Sequence, residues 1–383
     1  MFTDFDHQMM RRAIELAALG RYSTHPNPRV GCVVVQGDRI VGEGAHRRAG
    51  ELHAEPIALQ AAGDAARGST VYVTLEPHCH KSRTPPCTDA LIRAGVKRVV
   101  CGTLDPNPQV HGAGMQQLAQ AGIDITTGLL EAEVRELNAG FEKRMTTGLP
   151  RVIVKIAASL DGRVALANGT SRWITGEAAR ADVQRLRAAS SAVLTGIDTV
   201  LSDDPQLTVR DPGLDTLGRQ PLRVVLDSKL RMPAAARMLK EQGETLVFTN
   251  AARLADAGPI DQAGARVAGV PLDPAGHVDL GSVLAELGRR QCNDILVEAG
   301  PTLAGRFMEL GLVDELIVYI APVLLGPDAR AMLQLPRIET MNDRLQWRLH
   351  SSERICADMK LVLRPPSPEN LAGPSHVTSS LSL

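Results

Sequence analysis

"LEPHCHKSRTPPC", residues 75–87, decides how the first part of this chain is read. It follows the apolar, β-branched run "TVYVT" (70–74) and leads into "CTDALIRA" (87–94), which has helical spacing. A strand therefore runs into a turn, and the turn into a helix. His78, Cys79, His80 and Cys87 all stand in that stretch. They are either rivals for one metal ion or parts of a polar loop rich in soft donors.

Upstream, "LHAEPIAL" (52–59) sets His53 and Glu55 two positions apart at the start of a helical segment. Alone, the pair is also what a solvated helix start provides, because a carboxylate is favoured beside the positive end of the helix dipole. The pair supplies the H-x-E half of the H-x-E…P-C-x-x-C pattern of zinc deaminases, and Cys87, preceded by Pro86, offers a cysteine for the second half. There the histidine binds the metal, and the glutamate, which is not a ligand, moves a proton between the attacking water and the leaving amine. Two helix starts, each reached from a strand, can bring such ligands to one point. Three protein ligands leave the fourth position open, as a catalytic zinc requires. Cys87 opens its helix, where dipole and metal both favour thiolate over thiol.

The chain has 383 residues, enough for two domains with separate cores. Only 3% are aromatic, so the core must be aliphatic, as suits an α/β protein. A formal net charge of -1 argues against binding nucleic acid through bulk electrostatics. The cysteines, Cys32, Cys79, Cys87, Cys101, Cys292 and Cys356, are too scattered for a disulfide framework. The opening "MFTDFDHQMMRRAIELA" lacks a signal-peptide core, and no run approaches the roughly 18 apolar residues of a membrane span. The expected location is the cytoplasm, where clustered cysteines point to metal or catalysis. Cys32 and Cys101, embedded in apolar strand segments, read as buried hydrophobes, and His80 as a loop residue.

Residues 6–19 carry a helical apolar pattern, and "VGCVVVQGDRIVGEG" (30–44) reads as a hairpin around Gly37 and Asp38. Residues 53–62, 87–94 and 115–121 read as helices, and residues 70–77, 97–102 and 123–128 as strands. "TTGLP" (146–150) is turn-rich and precedes a new apolar strand, which places a domain boundary there. Beyond it the α/β alternation resumes, with helices near 177–188, 280–289 and 301–310. Strands are expected in 191–196, 221–228, 245–250, 294–300 and 315–320. The Pro/Ser-rich segment 365–383 reads as a disordered tail.

"PNPRVGCVVV", "HAEPIAL", "VYVTLEP", "RTPPCTDALIRAGVKRVV" and "DPNPQVHGAGMQQLAQAGI" together resemble the deaminase half of the bifunctional deaminase–reductase family of riboflavin biosynthesis. In that family a cysteine directly follows the proline of "LEP". Here that slot holds His78, with Cys79 one place later. A shift by one position would aim the ligand elsewhere, whereas histidine in the original register is a competent zinc ligand. The register favours His53, His78 and Cys87, with Cys79 the alternative to His78. A His₂Cys set has one thiolate fewer, which makes the metal a stronger Lewis acid. The resemblance implies Asn27 and His46 as pocket residues, although a turn former and a strand-end polar residue read similarly. Arg83 suits a phosphate.

From Val152 onward, "KIAASLDGRVA", "SRWITGEAARADVQRLRA", "VLTGIDTVLSDDPQLTVR" and "LVEAGPTLAGRFMELGLVDEL" resemble the reductase half of the same family. The implied fold class is α/β, with a cytidine-deaminase-like three-layer α/β/α domain (1–146) followed by a dihydrofolate-reductase-like α/β domain (150–364). The resemblance puts NADPH contacts on Ala157, Trp173, Thr199, Asp203, Ser228, Gly300, Pro301, Thr302, Leu303, Ala304, Gly305 and Arg306. Substrate contacts fall on Ser171, Arg187, Leu207, Arg210 and Glu298. Chemically, a glycine-rich turn at a helix start can meet a cofactor phosphate, and two arginines can clamp one. "GPTLAGRF" is neither a P-loop nor a dinucleotide fingerprint.

The expected protein is a cytoplasmic homo-oligomer holding Zn2+ and NADPH. By resemblance it deaminates a phosphoribosylaminopyrimidine and then reduces the ribosyl chain to ribityl. The small-molecule substrate excludes nucleic acid and membrane as partners. A deaminase of nucleic-acid bases would need a basic surface and stacking aromatics, against the charge of -1 and only 2 Trp, 3 Tyr and 5 Phe. A reductase carrying an inert deaminase-like module is the other rival, raised by the altered "HCH".

Overall fold

The computed structural model of the chain describes residues 2–80, 85–108 and 110–366. The expected tail therefore lies, from 367 on, outside the described residues. The chain gathers into two compact units. One comprises Met1–Arg151, Gln184–Val193 and Asp204–Ile295; the other comprises Val152–Val183, Leu194–Asp203 and the residues from Leu296 onward.

The first elements are α1 (Asp4–Ala18), β1 (Gly31–Gln36), β2 (Arg39–Ala45), α2 (Ala54–Ala62), β3 (Thr70–Leu75), α3 (Cys87–Ala94), β4 (Arg98–Thr103), α4 (Ala113–Gln120), β5 (Asp124–Thr127), α5 (Glu131–Leu137) and α6 (Ala139–Thr147). Their strands form a sheet in the order β2-β1-β3-β4-β5. The hairpin partners β1 and β2 are antiparallel, as are β1 and β3, while β3, β4 and β5 run parallel. The run "CVVV" in β1 is apolar throughout because both of its faces are covered. Cys32 and Val34 pack with Ala54 and Ala58 of α2, Leu91 and Leu118 on one side; Val33 and Val35 pack with Met9, Met10 and Ala13 of α1 on the other. The result is three layers, helices on both faces of one sheet.

Helix α1 starts at a reciprocal cap. The Thr3 side chain accepts from the Asp6 amide, and the Asp6 carboxylate accepts from the Thr3 amide. Its Met9, Met10, Ala13, Leu16 and Ala17 lie on one buried stripe, and full burial of each larger side chain contributes about 1.5–3 kcal/mol. Glycines let the helices lie close. A Cβ on Gly31 would stand 1.9 Å from the Ala13 carbonyl, and one on Gly44 would stand 2.1 Å from the Ala54 carbonyl. That second approach seats the first turn of α2.

The later elements are β6 (Arg151–Ser159), β7 (Arg163–Ala165), α7 (Glu177–Ala189), β8 (Ala192–Gly196), α8 (Ile197–Asp203), β9 (Leu222–Leu226), β10 (Thr245–Asn250), α9 (Gly258–Gln262), β11 (Arg266–Val270), α10 (Leu280–Arg289), β12 (Asp294–Val297), α11 (Pro301–Glu309), β13 (Glu315–Ala321), β14 (Arg330–Ala331), β15 (Arg348–Ile355) and β16 (Asp358–Arg364). In the first unit β9, β10 and β11 are neighbours in the order β11-β10-β9, and in the second the order is β6-β13-β16-β15. Parallel pairs join β9, β10 and β11 and also β6 and β13, and an antiparallel hairpin, β15 and β16, closes the β13 edge. Thr146 and Thr147, expected in a turn, are the last residues of α6. Their hydroxyls donate to the Glu142 and Lys143 carbonyls, and Gly148 at φ 74 ends the helix.

Candidate active site

His53 is the N-cap of α2, with extended backbone, and Glu55 follows in the first turn, 3% exposed. Cys87 is the first residue of α3. His78 lies just past the end of β3, and its carbonyl accepts from the amides of Cys87 and Thr88 at 3.0 and 3.3 Å. These contacts bring both ends of the "PHCHKSRTPPC" stretch together. One ligand-type atom from each of His53, His78 and Cys87 lies within 4.8 Å of the others. Among the described residues this is the grouping suited to a metal. Cys79, half-buried, stands outside it, and Cys32 and Cys101 lie within β1 and β4, fully buried. His80 meets the His78 ring edge-on at 5.8 Å.

Two imidazoles and a thiol at this spacing fit a tetrahedral zinc with one position left for water. The electrostatics agree. Burial, then the neighbouring His78 and His46, holds His53 down at about 4, so the ring is neutral at neutral pH, the form that can donate a lone pair to a metal. Burial, then the Glu55 charge, pushes the Cys87 thiol far up, a bias that a metal cation reverses. Burial pushes Glu55 up to about 7, against the hydrogen bonds it accepts from its own amide and the Cys87 thiol. Its Oε2 is buried with no hydrogen-bond partner among the described residues. A carboxyl that titrates near neutrality with one open oxygen can both take and give a proton.

The metal-type cluster opens into a cavity of about 380 Å³ whose lining includes Asn27, His46, His53, Glu55 and His78. Nδ1 of the buried His46 lies 3.1 Å from the Leu52 carbonyl, which can only accept, so Nδ1 carries the proton. Nε2 then accepts from the Asn27 amide at 3.0 Å, which fixes how Asn27 presents its other atom. Arg83 lies outside the described residues.

Five further lining residues, Asp105, Asn107, Phe141, Arg144 and Gln291, escaped the sequence reading. The motif "LDPNP" could have flagged two of them, because Asp and Asn each followed by proline favour turns. Asp105 accepts from the Asn107 amide at 2.8 Å, and burial pushes it up to about 6. Glu76 secures that loop. Its carboxylate accepts from the amides of Asp105, Gly112, Gly114 and Met115 at 2.9–3.3 Å. The other three carry no local signal.

The residues implied for reduction fall in both compact units. In the second, Ala157 lies on β6 and Thr199 on α8, and Trp173 is 70% exposed with the Arg180 guanidinium 4.6 Å from its ring centroid. Asp203 accepts through its carbonyl from Arg172 at 2.8 Å, and Ser171 is half-buried beside it in sequence. Glu298 follows β12 and donates its amide to the Leu194 carbonyl. Gly300 caps α11 and Pro301 opens it, so the amides of its first turn face outward. Leu303 is half-buried. Ala304 and Gly305 are buried, with a Gly305 Cβ placed 1.9 Å from the Gln334 carbonyl, Thr302 donates to the Gln334 side chain, and Arg306 pairs with Glu309 at 2.8 Å. The loop residues thus face different ways. In the first unit, Arg187 and Arg210 both reach Thr208, at its carbonyl (3.2 Å) and its hydroxyl (3.3 Å). Leu207 beside it is buried at φ 54, and the Ser228 hydroxyl accepts from the Val278 amide at 3.0 Å.

Comparison with known proteins covers both halves. Residues 3–103 match the cytidine and deoxycytidylate deaminase zinc-binding region, and residues 150–361 match the RibD C-terminal domain. Riboflavin biosynthesis protein RibD of Escherichia coli (strain K12) is 50% identical over 367 residues, covering 94% of this chain and 99% of that one. The RibD of Haemophilus influenzae is 45% identical over 375 residues, covering 95% and 98%. Among solved structures, Acinetobacter baumannii RibD superposes with a TM-score of 0.89 at 45% identity, covering 94% and 99%. A diaminohydroxyphosphoribosylaminopyrimidine deaminase / 5-amino-6-(5-phosphoribosylamino)uracil reductase from Thermotoga maritima does so at 0.83 and 34%, with the same coverage.

Proposed function

The chain belongs to the RibD family of riboflavin biosynthesis, and from that premise we propose which of its residues carry the family's two reactions. It is a bifunctional enzyme, a zinc-dependent deaminase joined to an NADPH-dependent reductase. Its substrates are those named for the Thermotoga maritima relative, a diaminohydroxyphosphoribosylaminopyrimidine for deamination and the resulting 5-amino-6-(5-phosphoribosylamino)uracil for reduction. The rival of an inert deaminase-like module finds no support.

His53, His78 and Cys87 hold the zinc. When bound, zinc supplies Lewis acidity that makes a water nucleophilic near neutral pH. Glu55 takes the proton released as that water adds to the ring carbon, and returns it to the amino nitrogen as the C–N bond breaks and ammonia leaves. Asn27, held by His46, and the Asp105–Asn107 loop orient the pyrimidine. A cavity of about 380 Å³ suits a ligand of this size.

In the reductase, NADPH supplies the hydride, and the protein's task is to hold donor and acceptor in register. The α11 start serves the cofactor phosphates, and Arg187 and Arg210 serve the substrate phosphate. The enzyme works in the cytoplasm as a homo-oligomer, which light scattering of the purified protein tests; a monomer at every concentration would overturn that assembly. Among the described residues no helix is long and apolar enough to cross a membrane.

The observation that carries the deaminase assignment is the convergence of three ligand atoms within 4.8 Å at the helix start that bears Glu55. The test is ammonia release from the diaminopyrimidine by zinc-loaded protein, abolished in Glu55→Gln with zinc retained. Equal rates in both proteins would refute the role of Glu55.

A further inference from the structure

Resting on the deaminase reading above, we propose that Arg144 anchors the phosphate of the phosphoribosylaminopyrimidine in the deaminase cavity. Arg144 lies on α6 and lines the same cavity as Glu55 and Asn27. Of the described lining residues it is the one permanent cation, while Glu55, Glu76 and Asp105 put carboxyls there. Among the described lining residues, the complementary charge that a phosphomonoester entering this cavity meets is Arg144.

The guanidinium is half-buried, yet no carboxylate pairs with it among the described residues. Burial lowers its pKa, as it must for a desolvated cation without a counter-ion. Its contacts are a hydrogen bond from Nε to Oδ1 of Asn293 at 2.6 Å and the face of Phe141, 5.7 Å from the ring centroid. Leaving a cation partly desolvated and unpaired is costly unless an anion completes the site.

Asn293 gives the arrangement its direction. Its Nδ2 donates to the Pro26 carbonyl at 3.0 Å, and its backbone amide donates to the Ser191 hydroxyl at 2.8 Å. The amide nitrogen must face a carbonyl, so the side-chain oxygen must face Nε of Arg144. With Nε engaged, Nη1 and Nη2 remain for a bidentate contact with phosphate oxygens. Pro26 precedes Asn27, so one side chain, Asn293, steadies both the pyrimidine-side residue and the proposed phosphate-side residue.

The experiment compares wild type, Arg144→Ala and Arg144→Lys in zinc-loaded full-length protein. Each is assayed for ammonia release from the phosphorylated diaminopyrimidine and from its dephosphorylated riboside. We expect Arg144→Ala to raise KM for the phosphorylated substrate about 10- to 100-fold with kcat within about threefold, the loss of a charge-assisted contact made equally before and during reaction. On the riboside, wild type and Arg144→Ala should be alike. Arg144→Lys should fall between them, because it keeps charge and loses the fork. Unchanged zinc content and unchanged reduction of the deaminated intermediate, supplied directly, exclude misfolding. An equal loss on both substrates, or no loss on either, overturns the anchor while leaving the deaminase standing. No ammonia from zinc-loaded wild type would refute the deaminase reading itself, and the anchor with it.

Discussion

Sγ of Cys87 stands 3.5 Å from Nδ1 of His53, which joins the first residue of α3 to the N-cap of α2. The two share a hydrogen bond, and in the proposed site both would be ligands of the zinc. Cys87→Ser and His53→Ala should therefore lose bound zinc by elemental analysis and lose ammonia release, with reduction of the deaminated intermediate retained. Chelating zinc from wild type should lower the melting temperature, since a ligand bound only to the native state stabilises it. Glu55→Gln should keep its zinc and lose about 10²- to 10⁴-fold in kcat.

The neighbouring loop sets His78 against Cys79. His78 belongs to the three-atom grouping and Cys79 does not. We expect His78→Ala to lose zinc and Cys79→Ser to keep it. Full retention in the first with loss in the second would hand the ligand position to Cys79.

Gly44 is a packing test of the same site. Any Cβ there would meet the Ala54 carbonyl at 2.1 Å, one residue before Glu55. Gly44→Ala must push α2 off β2, at about 1–3 kcal/mol. Deaminase kcat should fall and zinc should bind more weakly, with the reductase assay unaffected. Unchanged deaminase kinetics would show that α2 can shift without moving Glu55.

Asp6 links α1 to the sheet. Burial raises its pKa, but the Thr3 amide, the Tyr72 hydroxyl at 2.8 Å and Arg98 at 2.9 Å outweigh it and hold the carboxyl at about 2, below the ordinary 3.8. A depressed carboxylate contributes stability that is complete above its unfolded pKa and is lost as pH falls through its folded one. Asp6→Asn should therefore cost about 2 kcal/mol near neutral pH, and roughly half of that near pH 3, in urea denaturation of the two proteins. A difference that does not change with pH would show that the charge of Asp6 is irrelevant.

What the chain disclosed before folding was local. His53, Glu55 and Cys87 were legible because a strand, a turn and a helix start place them within short spans, and the "LEP" register singled out His78. Arg144 and Gln291 were not, because what places them beside Glu55 is tertiary and leaves no mark on their neighbours in sequence. Strand β15, "RLHSSERI", has almost no buried position, so no apolar alternation announces it, and only pairing with β16 makes it a strand. Thr146 and Thr147 read as turn formers since their hydroxyls compete for backbone; here they donate to the preceding helical turn.

The hydrogen bonds of Asn293 bear on how the enzyme could be divided. The natural place to cut for separate expression is the Thr146–Pro150 stretch, yet Asn293 is bonded to Pro26 and Arg144, and the Ser191 hydroxyl lies 2.9 Å from Nδ1 of the half-buried His25. An isolated N-terminal fragment would leave those groups facing water, in a loop and a helix that line its own cavity. The segments 184–193 and 204–295 belong to the same compact body as the first 151 residues, so unfolding should be cooperative across the covalent boundary. For this chain, a domain in the genetic sense and a domain in the thermodynamic sense are different sets of residues.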